Sequence, residues 1–142
     1  MRIRVAALVL RDARILLARH IRPRQTNYLL PGGGVKEGET LQLALRREMH
    51  EEAGVVCGVE SLRYVIEVRN PHGRRHLLQF VFAASVDGPI GASSDARVAE
   101  CAWHPIAELR KLRLHPDVGA PLAADLEQGS DGLRYLEARW VD

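Results

Sequence analysis

Three glutamates carry the most informative chemistry in this chain: Glu48, Glu51 and Glu52, in the run Arg47-Glu48-Met49-His50-Glu51-Glu52. The surrounding residues, Leu41 to Ala53, are good helix formers. Thr40 stands in front of them as an N-cap, and Gly54 follows as the residue expected to turn left-handed after the last turn. On a helical wheel, at about 100° per residue, Leu41, Ala44 and Leu45 form the natural core stripe. Glu48 and Glu52 continue that same stripe one and two turns on, with Glu51 beside them, so the three carboxylates span an arc of about 100°. Gln42, Leu43, Arg46 and His50 take the opposite side.

An apolar stripe that turns acidic halfway along is wrong for a plain amphipathic helix. Glu48 and Glu52 are like charges four residues apart, which is unfavourable even in water. Facing the protein interior, they would also lose hydration and could not all stay ionised without a cation. A hard divalent ion resolves the conflict. Mg²⁺ takes a few carboxylates, keeps several waters and completes its shell with substrate phosphates. An isolated Glu-x-x-Glu-Glu is more often a solvated face paired with neighbouring arginines, so the wider segment has to decide.

That segment runs Gly33, five residues, Glu39, seven residues, then Arg47 to Val55. It resembles the Nudix box, G-x5-E-x7-R-E-U-x-E-E-x-G-U with U aliphatic, at every specified position, with Met49 and Val55 at the U sites. Pro31-Gly32-Gly33-Gly34 before it is similar to the family as well. The resemblance implies an α/β (α+β) chain with the Nudix fold, a mixed β-sheet sandwiched between helices. It implies Mg²⁺, with Mn²⁺ able to substitute, held by Glu48, Glu51, Glu52 and Gly33. It also implies attack of water on phosphorus in a nucleoside diphosphate linked to another group, of the ADP-ribose or nucleotide-sugar type. Two alternatives stay open: pyrophosphohydrolysis of a nucleoside triphosphate, and a non-catalytic module that senses a nucleotide.

Catalytic roles fall to Glu51 and Glu52, to Arg47 as the brace of Glu51 four residues on, and to Glu100 or Asp95 as later acids that are alternatives to a helix glutamate as general base. Arg22, Arg24, Arg74 and Arg75 sit in expected loops, where guanidinium forks suit phosphate oxygens. Arg69 belongs to the same group. Tyr28 and Trp103 are candidate stacking partners for a base.

The elements that must position these groups read as follows. Ile3–Leu10 and Arg14–His20 form a hairpin about Arg11-Asp12-Ala13. A polar loop covers Ile21–Asn27, and Tyr28–Leu30 is a short strand stopped by Pro31 and the glycines. After the helix come strands near Val59–Arg69, Arg75–Val86 and Ala99–Trp103. Pro105 opens a short helix, a second helix carries Val118, Leu122 and Leu126 and ends near Gly129, and Leu133–Trp140 is a last strand or arm.

The chain has 142 residues, 46% hydrophobic and 27% charged, which suits one domain over residues 1–142 rather than a disordered segment. The net charge of +2 gives no reason to expect nucleic acid or membrane as a partner. The expected partner is a small-molecule nucleotide, and the family resemblance allows a homodimer. Cys57 and Cys101 lack metal-ligand spacing and read as thiols in a reducing cytoplasm; no signal peptide is read at the N-terminus. The histidines show no zinc-ligand spacing.

Overall fold

The computed structural model describes residues 1–140. The chain forms β1 (Arg2–Leu8), β2 (Leu10–Arg11), β3 (Arg14–Arg22), β4 (Gln25–Leu29) and β5 (Gly32–Gly34) before the first helix, α1 (Leu41–Ala53). Strands β6 (Cys57–Arg69), β7 (His76–Val86) and β8 (Glu100–Pro105) follow. A single 3-10 turn (Ile106–Glu108), α2 (Gly119–Gln128) and β9 (Arg134–Arg139) complete it.

A mixed sheet has the order β5-β1-β7-β6-β9, with β1 parallel to β7 and β6 parallel to β9. A second, antiparallel sheet holds β2, β3, β4 and β8, with β8 paired along β3. From Val5 onward strand β1 is apolar on both faces because both are covered. Val5 and Ala7 face α1, with Ala44, Leu45 and Met49. Ala6 and Leu8 face the other way, into a core shared with Leu17, Tyr64, Leu109 and Leu122. Helices therefore lie on both sides of the strands, as expected.

The expected hairpin of β1 with β3 is corrected. Asp12 and Ala13 do form a tight turn, both with positive φ (52° and 59°), the geometry that suits a two-residue hairpin. Only Leu10–Arg11 returns against Arg14–Ile15, however. The chain changes sheets near Val9, because β1 satisfies its ladder against β7 and β5 instead. The polar loop expected over residues 21–27 is also corrected. Arg22 pairs with Gln25 across Pro23-Arg24, and strand pairing runs through Thr26 and Asn27 to Leu29. Its polar side chains had looked like a loop but belong to a hairpin. Gly32–Gly34 do not merely stop a strand; they are a strand, paired with Arg4, Val5 and Ala6. A side chain at Gly32 would place its Cβ 2.0 Å from the Val5 carbonyl oxygen, so only glycine allows this approach. Pro105 closes β8 and precedes the 3-10 turn rather than opening a helix.

α2 is tied to the sheet through a buried carboxylate. The Tyr64 hydroxyl donates to Asp125 (2.9 Å) and Arg134 Nη1 donates to its other oxygen (2.7 Å). Burial, then the Asp125 partner, pushes the Tyr64 phenol up to about 12. Asp125→Ala would leave the Tyr64 hydroxyl buried without its acceptor and is expected to cost about 1–3 kcal/mol. Thermal denaturation should show the Tm lowered by several degrees, and an unchanged Tm would show that this link does not hold α2.

Candidate active site

Helix α1 begins and ends as its sequence dictates. Thr40 Oγ1 accepts from the Leu43 amide, and Gly54 is left-handed (φ 63°) with its amide bonded to the His50 carbonyl. Between those caps the helix buries Ala44, Leu45, Glu48, Met49, Glu52 and Ala53. The acidic continuation of the apolar stripe therefore faces inward: Glu48 is 7% exposed and Glu52 4%. Glu51, at the edge of that face, keeps 40% of its side chain exposed.

Strand β5 packs against this face. The Gly32 amide donates to Glu52 Oε2 (3.3 Å). Gly33 is the closest approach: a Cβ there would lie 2.3–2.5 Å from the Glu48 carboxyl atoms. Burial pushes the Glu52 carboxyl up to about 8; the Gly32 hydrogen bond opposes the rise and the nearby Glu48 charge adds to it. In this arrangement Glu52 holds a proton at neutral pH, because burial outweighs the Gly32 amide and the charge of Arg4.

Arg47 organises the neighbouring carboxylates. Its Nε and Nη2 donate to the two oxygens of Glu39 (2.8 and 2.9 Å), Nη1 donates to Glu48 (2.8 Å), and Nη2 also donates to the Gly34 carbonyl (3.0 Å). Glu39 falls to about 2, first through its bonds to Arg47 and then through the Lys36 amide. Glu51 is the most distant partner, at 3.5 Å from Nη1. The brace read from the four-residue spacing thus acts chiefly on Glu39 and Glu48, since the guanidinium turns toward the glycine strand.

The loop after β7 docks on the end of α1. The Gly91 amide donates to the Ala53 carbonyl (2.7 Å), and the Ser94 amide and hydroxyl both donate to the Glu51 carbonyl (2.7 and 3.0 Å). This places Asp95 where its charge is felt by Glu52 and His20. Asp95 itself is held below the usual carboxylate range, mainly by hydrogen bonds from Arg97. Glu100 lies on β8, half exposed and paired with Arg19 (3.2 Å).

Beside the glutamates opens a cleft of about 720 Å³, between the start of β1 and β7 on one side and β3–β4 on the other. Arg22, Arg74 and Arg75 line it, as do Arg2, Arg4 and Arg97. Arg4 links the two regions, since its charge interacts with both Glu52 and Glu48. Arg24 and Tyr28 are not among the lining residues. Arg24 is exposed at the β3–β4 turn, and Tyr28 meets His104 edge-on at 5.2 Å. Trp103 packs on the α1 core beneath Arg11 (4.7 Å). The tryptophan in the cleft is Trp140, with Arg75 over its ring at 5.0 Å. Sequence reasoning missed Arg2, Arg4, Arg97 and Trp140. For the first two a signal existed: arginines at alternate positions on a strand that is otherwise apolar.

Among the described residues, no three acid, imidazole or thiol side chains converge as a ready-made cage for an ion. The donor set nevertheless fits a hard divalent cation. It offers carboxylates only, two of them buried, one raised to about 8 by that burial, beside a glycine strand where a side chain would fill the space.

Comparison with known proteins agrees with this construction. Over 98 residues the chain is 37% identical to an ADP-ribose pyrophosphatase from Methanocaldococcus jannaschii, covering 68% of this chain and 58% of that one. It is 38% identical over 108 residues to the human 8-oxo-dGDP phosphatase NUDT18, covering 73% and 32%. With the NAD-capped RNA hydrolase NudC of Salmonella heidelberg it shares 32% over 108 residues, covering 76% and 40%. The matched region thus spans from about a third to under two thirds of these relatives. Among solved structures, a Nudix hydrolase from Nitrosomonas europaea superposes with a TM-score of 0.79 at 24% identity, over 92% of this chain and 91% of that one. The E. coli ORF135 protein gives 0.74 at 26%, over 92% and 91%. The family model for the NUDIX domain matches residues 1–126, from the first strand through most of α2, and the chain belongs to the Nudix family.

Proposed function

We propose that this chain hydrolyses a phosphoanhydride bond in a nucleoside diphosphate derivative, using Mg²⁺, or Mn²⁺ in its place, held by Glu48, Glu51 and Glu52. The observation that carries the reading is the buried pair Glu48 and Glu52 against Gly32–Gly33, a costly arrangement of charge that a cation would relieve. The three relatives named above act, by their names, on ADP-ribose, 8-oxo-dGDP and NAD-capped RNA. A nucleoside joined to a diphosphate recurs in those substrates and is the class proposed here.

Mg²⁺ bound at these carboxylates would neutralise diphosphate oxygens and acidify the attacking water. The chain's own groups supply the rest. Arg47 holds Glu48 and Glu39 in place through its fork. Glu51, accessible and only loosely paired with Arg47, takes the proton as the water oxygen bonds to phosphorus and the bridging P–O bond breaks. Glu52 is the second acid of the helix for that role. Glu100 would serve only after releasing Arg19. The arginines of the cleft orient the substrate phosphates by bidentate hydrogen bonds.

The proposed setting is the cytoplasm. The two buried cysteines remain thiols, and among the described residues no helix is long and apolar enough to cross a membrane. A single chain supplies every group used in this reading, so pairing of two copies plays no part in it.

The test is release of phosphomonoester product from a panel of nucleoside diphosphate derivatives, with and without Mg²⁺. Mg²⁺-dependent cleavage of at least one of them is expected. Tight binding of the same compounds without cleavage would favour the sensing module instead. Arg47→Lys probes the positioning. Lysine keeps the charge but cannot bridge Glu39, Glu48 and Gly34 together, so the Mg²⁺ concentration for half-maximal activity should rise about 10–100-fold. An unchanged Mg²⁺ requirement would remove Arg47 from the scheme.

A further inference from the structure

The cleft carries far more positive charge than a diphosphate needs. Arg2, Arg4, Arg22, Arg74, Arg75 and Arg97 all line it, and among the described residues none of its lining residues is acidic. Among the described residues, Arg97 alone of the six is paired with a carboxylate, that of Asp95. Burial, and then the charge of Arg4, hold His20 below its usual range, so His20 adds little to the fixed charge of the guanidinium groups.

Four of these charges, Arg4, Arg2, Arg75 and Arg74, follow the direction of β1 away from the glutamates. Ala6 pairs with Gly32, whose amide meets Glu52. From there β1 leads outward through Arg4, opposite Gln79, to Arg2, opposite Leu77. At about 3.3 Å per residue, Ala6 to Arg2 is roughly 13 Å. Arg74 and Arg75 stand further out still, before the first residue of β7, where Arg75 lies over Trp140. A diphosphate bound at the glutamates and met by Arg4 leaves the outer arginines without an anion.

We propose that this cleft is a subsite for a phosphate group additional to the diphosphate that is cut, so that the preferred substrates are nucleotides with three or more phosphates. The inference rests on the hydrolase reading and narrows its substrate class. The extra phosphate has two chemical sources: a longer linear polyphosphate chain, or a phosphomonoester on the far sugar. Either one places an anion with two or more accessible oxygens among the guanidinium forks of Arg2, Arg22 and Arg74.

The experiment compares kcat/KM, with Mg²⁺, for ADP-ribose, ADP-ribose 2′-phosphate, ATP and diadenosine tetraphosphate, in the wild-type chain and in the double variant Arg2→Ser/Arg74→Ser. Both substituted residues are exposed, so the fold should survive. At least one compound with an extra phosphate should exceed ADP-ribose about tenfold or more, and the double variant should reduce that ratio at least fivefold. Preference for ATP and the tetraphosphate identifies the linear chain; preference for the 2′-phosphate identifies the monoester. ADP-ribose preferred or equal, or a ratio untouched by the double variant, overturns the proposal. If no compound is cleaved, the hydrolase reading fails, and calorimetric titration with tripolyphosphate and pyrophosphate decides the subsite. Tripolyphosphate binding about tenfold tighter, and weakened in the double variant, upholds it; equal binding of the two anions overturns it.

Discussion

Glu52→Gln is expected to lower turnover at least about a hundredfold, as removal of a metal ligand or general base does, while making the metal-free protein more stable. The two effects have one cause. Glu52 is buried, accepts the Gly32 amide, and is pushed up to about 8 by burial. Glutamine keeps the shape and the acceptor but carries no charge to desolvate. The sign of the pH dependence follows from linkage. In the folded, metal-free chain Glu52 holds its proton up to about pH 8, whereas the unfolded chain releases it near the ordinary carboxylate value of 4.5. The stability associated with that proton is fully present below pH 4.5 and is lost as the pH rises through 8. At neutral pH the substitution should therefore stabilise the metal-free protein by about 1–3 kcal/mol, with a flatter pH profile. Urea denaturation from pH 5 to 9, with and without Mg²⁺, measures this. Added Mg²⁺ should stabilise the wild type and leave the variant nearly unaffected. A variant that is both less stable and fully active would place Glu52 outside the site.

Gly33→Ala should be nearly as damaging through one added carbon. Its Cβ would fall 2.3 Å from the Glu48 carboxyl carbon, far inside van der Waals contact. The helix cannot retreat, because Ala44, Leu45 and Met49 on the same face are fully buried. Glu48 would have to leave its place, losing the bond from Arg47. Overpacking of this kind costs about 1–3 kcal/mol, and loss of one carboxylate should lower activity at least about a hundredfold. Gly34→Ala is the comparison, since a carbon there meets only Arg2 at 3.5 Å. It should keep the wild-type Tm. Equal behaviour of the two variants in thermal denaturation and turnover would show that glycine flexibility, not the approach to Glu48, matters here.

The helix and its acids were legible in the sequence because every level agreed. Thr40, the helix formers and Gly54 fixed the ends, and the wheel put Glu48 and Glu52 on the buried stripe, where the structure has them. What could not be read was pairing between distant strands. A run such as Val5–Val9 shows that its residues are buried on both faces but not which neighbours supply the ladder. Its continuation into a hairpin looked natural until β7 and β5 claimed it. The glycines 32–34 read as a turn, since nothing local distinguishes a strand that has no side chains. The cleft was half visible for the same reason. Arg22, Arg74 and Arg75 stood out as loop cations. Arg2, Arg4, Arg97 and Trp140 join them only because β1, the loop before β8 and the end of β9 meet in space. Aromatic candidates were harder still, since Tyr28, Trp103 and Trp140 look alike until packing assigns the first two to their neighbours.

A divalent ion bound by one face of α1 is the central requirement, and diffraction from crystals soaked in Mn²⁺ tests it most directly. Anomalous scattering should locate manganese against the carboxylates of Glu48 and Glu52, with Glu51 turned toward it, and Glu52→Gln crystals should lose that peak. Manganese found elsewhere, with Glu48 and Glu52 unmoved and Glu51 facing solvent, would contradict the account.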